Sequence, residues 1–176
     1  MGQTVAGFSK KGIAYIGVTR DDKAAGAARE DGFIAGLKNT GITLLEENKR
    51  TSAFTLESGY EAALDLLESK CDIDVISCAT DTIAAGAIEA IQTYLKKQVP
   101  ANAADAGARM RYILENTSIR VTGFGDNQML KAVTGGIPTI HFGYKTSGIR
   151  GAELLLDSIE RGEQIPIENE ASAFLP

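Results

Sequence analysis

The chain has 176 residues, 44% hydrophobic and 23% charged, a balance typical of a globular domain and unlike that of a disordered or membrane-embedded segment. Lysine and arginine number 18 against 23 acidic residues, for a net charge of -5. The basic residues are scattered apart from short pairs such as Lys10-Lys11 and Lys96-Lys97, so no basic face is offered to nucleic acid. No apolar run approaches the ~20 residues of a membrane span, and one ordinary core is the default at this length.

After an opening stretch, Met1 to Lys11, the pattern alternates. Ile13 to Val18 (IAYIGV) reads as a strand, Ala24 to Lys38 as a helix, Ile42 to Leu45 as a short strand and Glu57 to Glu68 as a helix. The apolar run DIDVISC, Asp72 to Cys78, then passes straight into an alanine-rich helix from Thr82 to Leu95. Ile119 to Phe124 is a strand followed by a short helix, Gln128 to Val133. Pro138 to Phe142 is a strand followed by a helix, Thr146 to Glu160. β-Branched runs alternating with helical periods predict an α/β fold with a mainly parallel sheet and right-handed crossovers. Lys96 to Ser118 exceeds an ordinary connection, and Ala103 to Leu114 has the composition of an extra surface helix, with a contact loop as the alternative.

In open α/β sheets, ligands sit outside the carboxyl ends of the strands. Two strand ends here carry small polar residues: Thr80-Asp81 after DIDVISC, and Gly125-Asp126-Asn127 after IRVTGF. Asp81 suits either a ligand contact or the cap of a helix beginning at Thr82. Asp126 and Asn127 suit either vicinal hydroxyls or a tight turn. Arg29 shares a helical face with Phe33 and Leu37, four residues apart each, and a charge on a core-facing stripe needs a reason. Its guanidinium could fork onto ligand hydroxyls or a phosphate, or pair at the rim with Asp21, Asp22 or Glu30. Phe54 is an aromatic in polar surroundings at the same rim, suited to the apolar face of a sugar or to packing on a nearby loop. His141, the only histidine, has no nucleophile or acid at motif spacing, and no phosphate loop or metal-ligand motif is present, so neither cofactor nor metal is implied. Cys71 and Cys78 are separated by extended chain and read as unpaired, buried thiols of a reducing compartment, the cytoplasm.

Taken together, KKGIAYIGVTRDDKAAGAAREDGFIAGL, CATDTIAAGAIEAI, IRVTGFGDN and PTIHF with its following helix resemble the effector-binding domain of LacI/GalR-type transcription repressors over nearly the whole chain. CATDT, GFGDN and HFGYKTSGI are nearest to the sucrose-operon repressors. The resemblance implies a type I periplasmic-binding-protein-like fold of two α/β lobes closing on a sugar or sugar phosphate, with no catalysis. Residues 1–11 would be the end of an N-terminal-lobe segment and 12–142 the C-terminal lobe. Residues 143–163 would be the crossover with an N-lobe-type helix, and 164–176 a return segment. Operator DNA would be reached only through a helix-turn-helix region that does not precede Met1 here.

By position, Arg29 matches the family's sugar-gripping arginine and Phe54 its stacking aromatic. Thr80 stands where many members have asparagine, and Asp81 matches the acidic member of that pair. Gly125 replaces a ligand-binding aspartate, leaving Asp126 as the substitute beside Asn127. Phe142 stands where members often carry a polar ligand residue. The family pairs as homodimers through the helix after CATDT, here with Ile83, Ala87 and Ile91 as candidate interface positions, and through Gln128 to Val133. The apolar stripe Ile149, Ala152, Leu155, Leu156 and Ile159 belongs to the N-terminal lobe in the family and is expected to need a covering surface, for which a second chain is favoured. A periplasmic sugar-binding lobe and a flavodoxin-like or nucleotide-using enzyme are the alternatives.

Overall fold

The computed structural model describes residues 1–99, 107–108, 111–112, 118–163 and 172–175. At its centre is β1 (Ile13–Val18), buried at every position, as expected of a strand covered on both faces. It pairs in parallel with β2 (Lys49–Ser52) on one side and β3 (Val75–Cys78) on the other, and β3 pairs in parallel with β4 (Arg120–Thr122). The order is therefore β2-β1-β3-β4. Past β4, Gly123 donates to the Pro138 carbonyl and Gly125 to the Ile140 carbonyl, both at 2.9 Å, which lays β5 (Thr139–Phe142) beside the end of β4. β5 also pairs antiparallel with β6 (Ser172–Leu175).

The helices are α1 (Gly2–Phe8), α2 (Arg29–Lys38), α3 (Leu56–Glu68), α4 (Asp81–Gln98), α5 (Gln128–Thr134) and α6 (Tyr144–Arg161). A π-helical turn, Lys23–Ala28, leads into α2. α3 and α4 meet backbone to backbone: a Cβ at Gly59 would lie 2.7 Å from the Ile83 carbonyl, and one at Gly86 2.6 Å from the Tyr60 amide. Ile16, Leu37, Leu66, Ile76 and Ile83 are fully enclosed at the core centre, where each is worth roughly 1.5–3 kcal/mol over exposure.

Several expectations are corrected. Ile42 to Leu45 forms no strand. The Ile42 amide folds back onto the Leu37 carbonyl at 3.1 Å to close the end of α2, so it is spent before any sheet pairing. The edge strand is instead the polar Lys49–Ser52, half-exposed because it has one neighbour. Ile83, Ala87 and Ile91 are buried in this chain's own core and do not face a partner. Of the two free cysteines Cys78 is buried as expected, but Cys71 is partly exposed beside the Ser69 hydroxyl. The helix expected over Ala103 to Leu114 lies largely outside the described residues.

The last helix, α6, begins two residues earlier than the sequence pattern suggested and buries none of its residues. Its stripe of Ile149, Leu155, Leu156 and Ile159 stands in the open, Leu155 and Leu156 at 62% and 63% exposure. Among the described residues no helix is long and apolar enough to cross a membrane.

Candidate functional site

β1, β3, β4 and β5 end along one edge, where a cavity of about 550 Å³ is lined by Tyr15, Arg29, Phe33, Ser77, Phe124 and Phe142 among others. Arg29 reaches it from the junction of the π-turn with α2. The turn is fixed at one end by Asp22, whose carboxylate accepts from the amides of Ala25 (2.7 Å) and Ala24 (3.0 Å) and is held below its ordinary pKa by them. It is fixed in the middle by Gly26, where a Cβ would run into the Thr19 carbonyl. One extra residue per turn re-aims the first side chains of α2, a frequent arrangement at functional sites.

The Arg29 guanidinium lies over the Phe124 ring, 4.2 Å from its centroid, with Phe142 at 5.7 Å, and Nη1 donates to the Ala79 carbonyl at 2.6 Å. Burial pulls its pKa down, yet a guanidinium starts so high that it remains a cation. The rim ion pair with Asp21, Asp22 or Glu30 is not formed. Arg20 takes that place, bridging Glu30 (3.1 Å) and Asp31 (2.9 Å), while Lys49 closes on the other Glu30 oxygen at 2.7 Å. Burial pushes the Glu30 carboxyl up, but the hydrogen bonds from Lys49 and Arg20 outweigh it and hold its pKa below the ordinary value.

Beside the cavity lies a hydrogen-bonded lip. The helix begins at Asp81, and Thr80 is its cap, accepting from the Ile83 amide at 3.2 Å. Of the two roles the sequence left open for Asp81, capping falls instead to Thr80. The Asp81 carboxylate, on a residue only 4% exposed, accepts from the Asn127 amide (2.6 Å) and the Thr139 hydroxyl (2.8 Å). Asp81 thereby ties the start of α4 to the loop before α5 and to β5. The Asn127 side chain caps α5, accepting from Met129 and Leu130 at 2.9 and 3.0 Å. Asp126 holds a left-handed backbone (φ 54°), tolerable for aspartate, and its carboxylate meets Nδ1 of His141 at 2.8 Å. Tyr144 donates to the Gly125 carbonyl at 3.1 Å, securing the start of α6 to the same lip.

Of the six residues singled out in the sequence, Arg29 alone lines the cavity. Thr80, Asp81, Asp126 and Asn127 form the lip, with side-chain oxygens engaged in caps and cross-ties, and Phe54 stands apart at 50% exposure. Sequence reasoning passed over Tyr15, Ser77 and Phe124. Tyr15 and Ser77 are register neighbours on β1 and β3, a placement visible only once the strands are paired. The Tyr15 ring stacks on Phe33 at 5.0 Å, and its hydroxyl is buried without a partner, with burial raising its pKa. Ser77 accepts from Thr122 at 3.0 Å, leaving its own proton to give. Among the described residues no histidine or carboxylate lines the cavity, and no three metal-ligating side chains cluster.

In open α/β sheets ligands sit at the carboxyl ends of the strands, and the cavity that holds Arg29 lies at that edge. The family model for "Periplasmic binding proteins and sugar binding domain of LacI family" matches residues 5–166. The chain belongs to this family. It is 28% identical over 136 residues to the sucrose operon repressor of Staphylococcus xylosus, across 77% of this chain and 36% of the repressor. It superposes on the transcriptional regulator CelR in its cellobiose complex with a TM-score of 0.77 at 20% identity, covering 99% of this chain and 48% of that one. For the trehalose repressor from Escherichia coli the values are 0.71 and 19%, covering 98% and 58%. This chain therefore spans roughly a third to somewhat over half the length of these relatives. The two structural matches establish the type I periplasmic-binding-protein-like fold.

Proposed function

We propose that this chain is the effector-sensing part of a LacI/GalR-type transcriptional regulator, taking sucrose or a related sugar in the cavity beside Arg29. The observation that carries the reading is a guanidinium set on aromatic rings at the ligand edge of a chain in this family, with a sucrose operon repressor among its relatives. Residues 12–142 act as the C-terminal lobe, with 143–163 and 164–176 as segments of the other lobe; α1, expected to belong to that other lobe, goes with the C-terminal lobe, since it lies on α2 with Val5 enclosed in the same core. The regulator works in the cytoplasm as a homodimer and reaches operator DNA through a region outside this sequence. Exposed Met129 and Val133, one turn apart on α5, offer apolar positions for pairing in the segment where the family's resemblance places a dimer contact.

Catalysis is not part of this reading. Among the described residues, Ser77 is the one aliphatic hydroxyl on the cavity lining, with no imidazole or carboxylate there to activate it. The family description also covers periplasmic binding proteins, and the upstream sequence of the parent gene separates the two: a helix-turn-helix supports a regulator, an export signal a transport protein. Thermal-shift and calorimetric titration with sucrose, fructose, trehalose and their phosphates tests the ligand. A ligand at 100 times its Kd stabilises by about 2.7 kcal/mol, so one member should raise the melting temperature and saturate. No binding by any of them at millimolar concentration would reject the reading.

A further inference from the structure

Among the described residues, the Tyr15 hydroxyl is the one buried side-chain polar atom without a hydrogen-bond partner. The core does not ask for it. The ring itself is used, stacking on Phe33 at 5.0 Å between centroids on a residue 3% exposed, and phenylalanine would fill that place equally well. A hydroxyl taken out of water and left unpaired costs the unliganded fold stability, so its partner is to be sought in what the fold binds.

The placement of the ring indicates where that partner arrives. Tyr15, Ser77 and Thr122 are register neighbours on β1, β3 and β4 and so share one face of the sheet, the face that α2 covers with Phe33. A Cβ at Gly17 would lie 2.9 Å from Cε1 of Tyr15, so the ring lies over the glycine two positions nearer the carboxyl ends of the strands. Both Tyr15 and Ser77 belong to the cavity wall at that edge. Thr122 donates to Ser77 at 3.0 Å, which engages the Ser77 oxygen and leaves its proton to give. Adjacent strands thus bring two hydroxyls with protons to offer to one wall of the cavity.

We propose that Tyr15 is a specificity-determining residue of this cavity, whose hydroxyl stays unpaired in the unliganded chain and donates to one hydroxyl oxygen of the bound sugar. This rests on the cavity being the effector site. The phenol oxygen is out of solvent before the sugar arrives, so the bond forms on a side-chain shift at the wall. Arg29 is the neighbour placed to give way: its charge acts on the phenol through space, and one hydrogen bond, to the Ala79 carbonyl, holds it besides the Phe124 and Phe142 rings. A sugar lacking the matching hydroxyl leaves Tyr15 unpaired in the complex as well, and the cavity selects against it on that account.

Thermal melting and calorimetry compare the wild-type chain with Tyr15→Phe, using sucrose, trehalose, fructose and their phosphates, and then the singly deoxygenated forms of whichever binds most tightly. Without sugar, Tyr15→Phe should melt no lower than wild type, because it gives up no bond. With sugar it should bind about 3–10-fold more weakly, the range of one hydrogen bond. One deoxygenated form should lose a similar factor on wild type and nothing on Tyr15→Phe, while the others lose equally on both chains, which is the coupling expected of two groups in contact. Equal affinity of the two chains for the sugar overturns the inference and leaves the sugar-sensing reading standing. A Tyr15→Phe variant that melts lower without sugar assigns the hydroxyl to the fold and overturns it too, as does a variant on which every deoxygenated form loses what it loses on wild type. If the wild-type chain binds none of the probes, the sugar-sensing reading fails and the inference fails with it.

Discussion

The Asp81 carboxylate and the Asn127 backbone amide, 46 positions apart in sequence, meet at 2.6 Å, with Thr139 on the other carboxylate oxygen at 2.8 Å. One buried side chain thus joins the ends of β3, β4 and β5, fixing the lip against which any ligand-side movement must work. Asp81→Ala strands a part-buried amide and a buried hydroxyl, at a cost of roughly 1–3 kcal/mol. Thr80→Ala removes a helix cap alone and should cost about 1 kcal/mol. Urea denaturation of the two variants checks the difference; equal losses would mean that Asp81 is no more than a helix-start residue.

Gly123→Ala should destabilise the chain, although it adds a single methyl. The added Cβ would run into Asp81 Oδ1, so either the carboxylate leaves Thr139 or β4 shifts. A loss of about 1–3 kcal/mol is expected, the range of overpacking. A double-mutant cycle with Asp81→Ala should show strong coupling, and additive losses would contradict the contact.

How much of this was legible in the sequence depended on whether the signal was local. IAYIGV is apolar throughout because both faces of β1 are covered, and such a run can be read directly. Arg29 stood out because a charge interrupted an apolar stripe. Lys49–Ser52 could not be read, since an edge strand with one neighbour tolerates a polar sequence while the apolar Ile42 and Leu44 nearby serve to close α2. The shelf under Arg29 was hidden as well. Phe124, just past the end of β4, and Phe142, on β5, meet at 4.8 Å only because β5 lies beside that end. The exchange of roles between Thr80 and Asp81 turned on one residue in the helix start, finer than composition can resolve.

The Glu30 carboxylate, 9% exposed between Lys49 and Arg20, makes stability depend on acid pH. Its folded pKa lies below the unfolded value, so its contribution is fully present above the unfolded carboxyl range, near pH 4.5, and fades as pH falls through the folded pKa. Glu30→Gln should cost about 2–3 kcal/mol at pH 7, less than a fully buried pair because Lys49 and Arg20 remain part-exposed. The gap between variant and wild type should close below about pH 4. Melting curves from pH 7 to pH 3 measure it, and a constant gap would contradict the ion-pair assignment.

The uncovered stripe of α6 predicts self-association of this chain by itself. Ile149, Leu155, Leu156 and Ile159 form a contiguous exposed apolar face of the kind that marks contact surfaces. Sedimentation should show concentration-dependent association that Leu155→Glu together with Ile159→Lys abolishes without loss of melting temperature. A monomer at every concentration, with α6 amides exchanging freely with solvent, would contradict this.

The central claim is that the cavity between Arg29 and the Phe124–Phe142 pair is where effector binds. A crystal structure with the sugar or sugar phosphate that gives the largest melting shift tests it most directly. The account predicts ligand density within hydrogen-bond distance of the Arg29 guanidinium and in contact with Phe142. Density elsewhere, such as the charged recess around Arg20, Glu30 and Lys49, with Arg29 still bound to the Ala79 carbonyl alone, would contradict it.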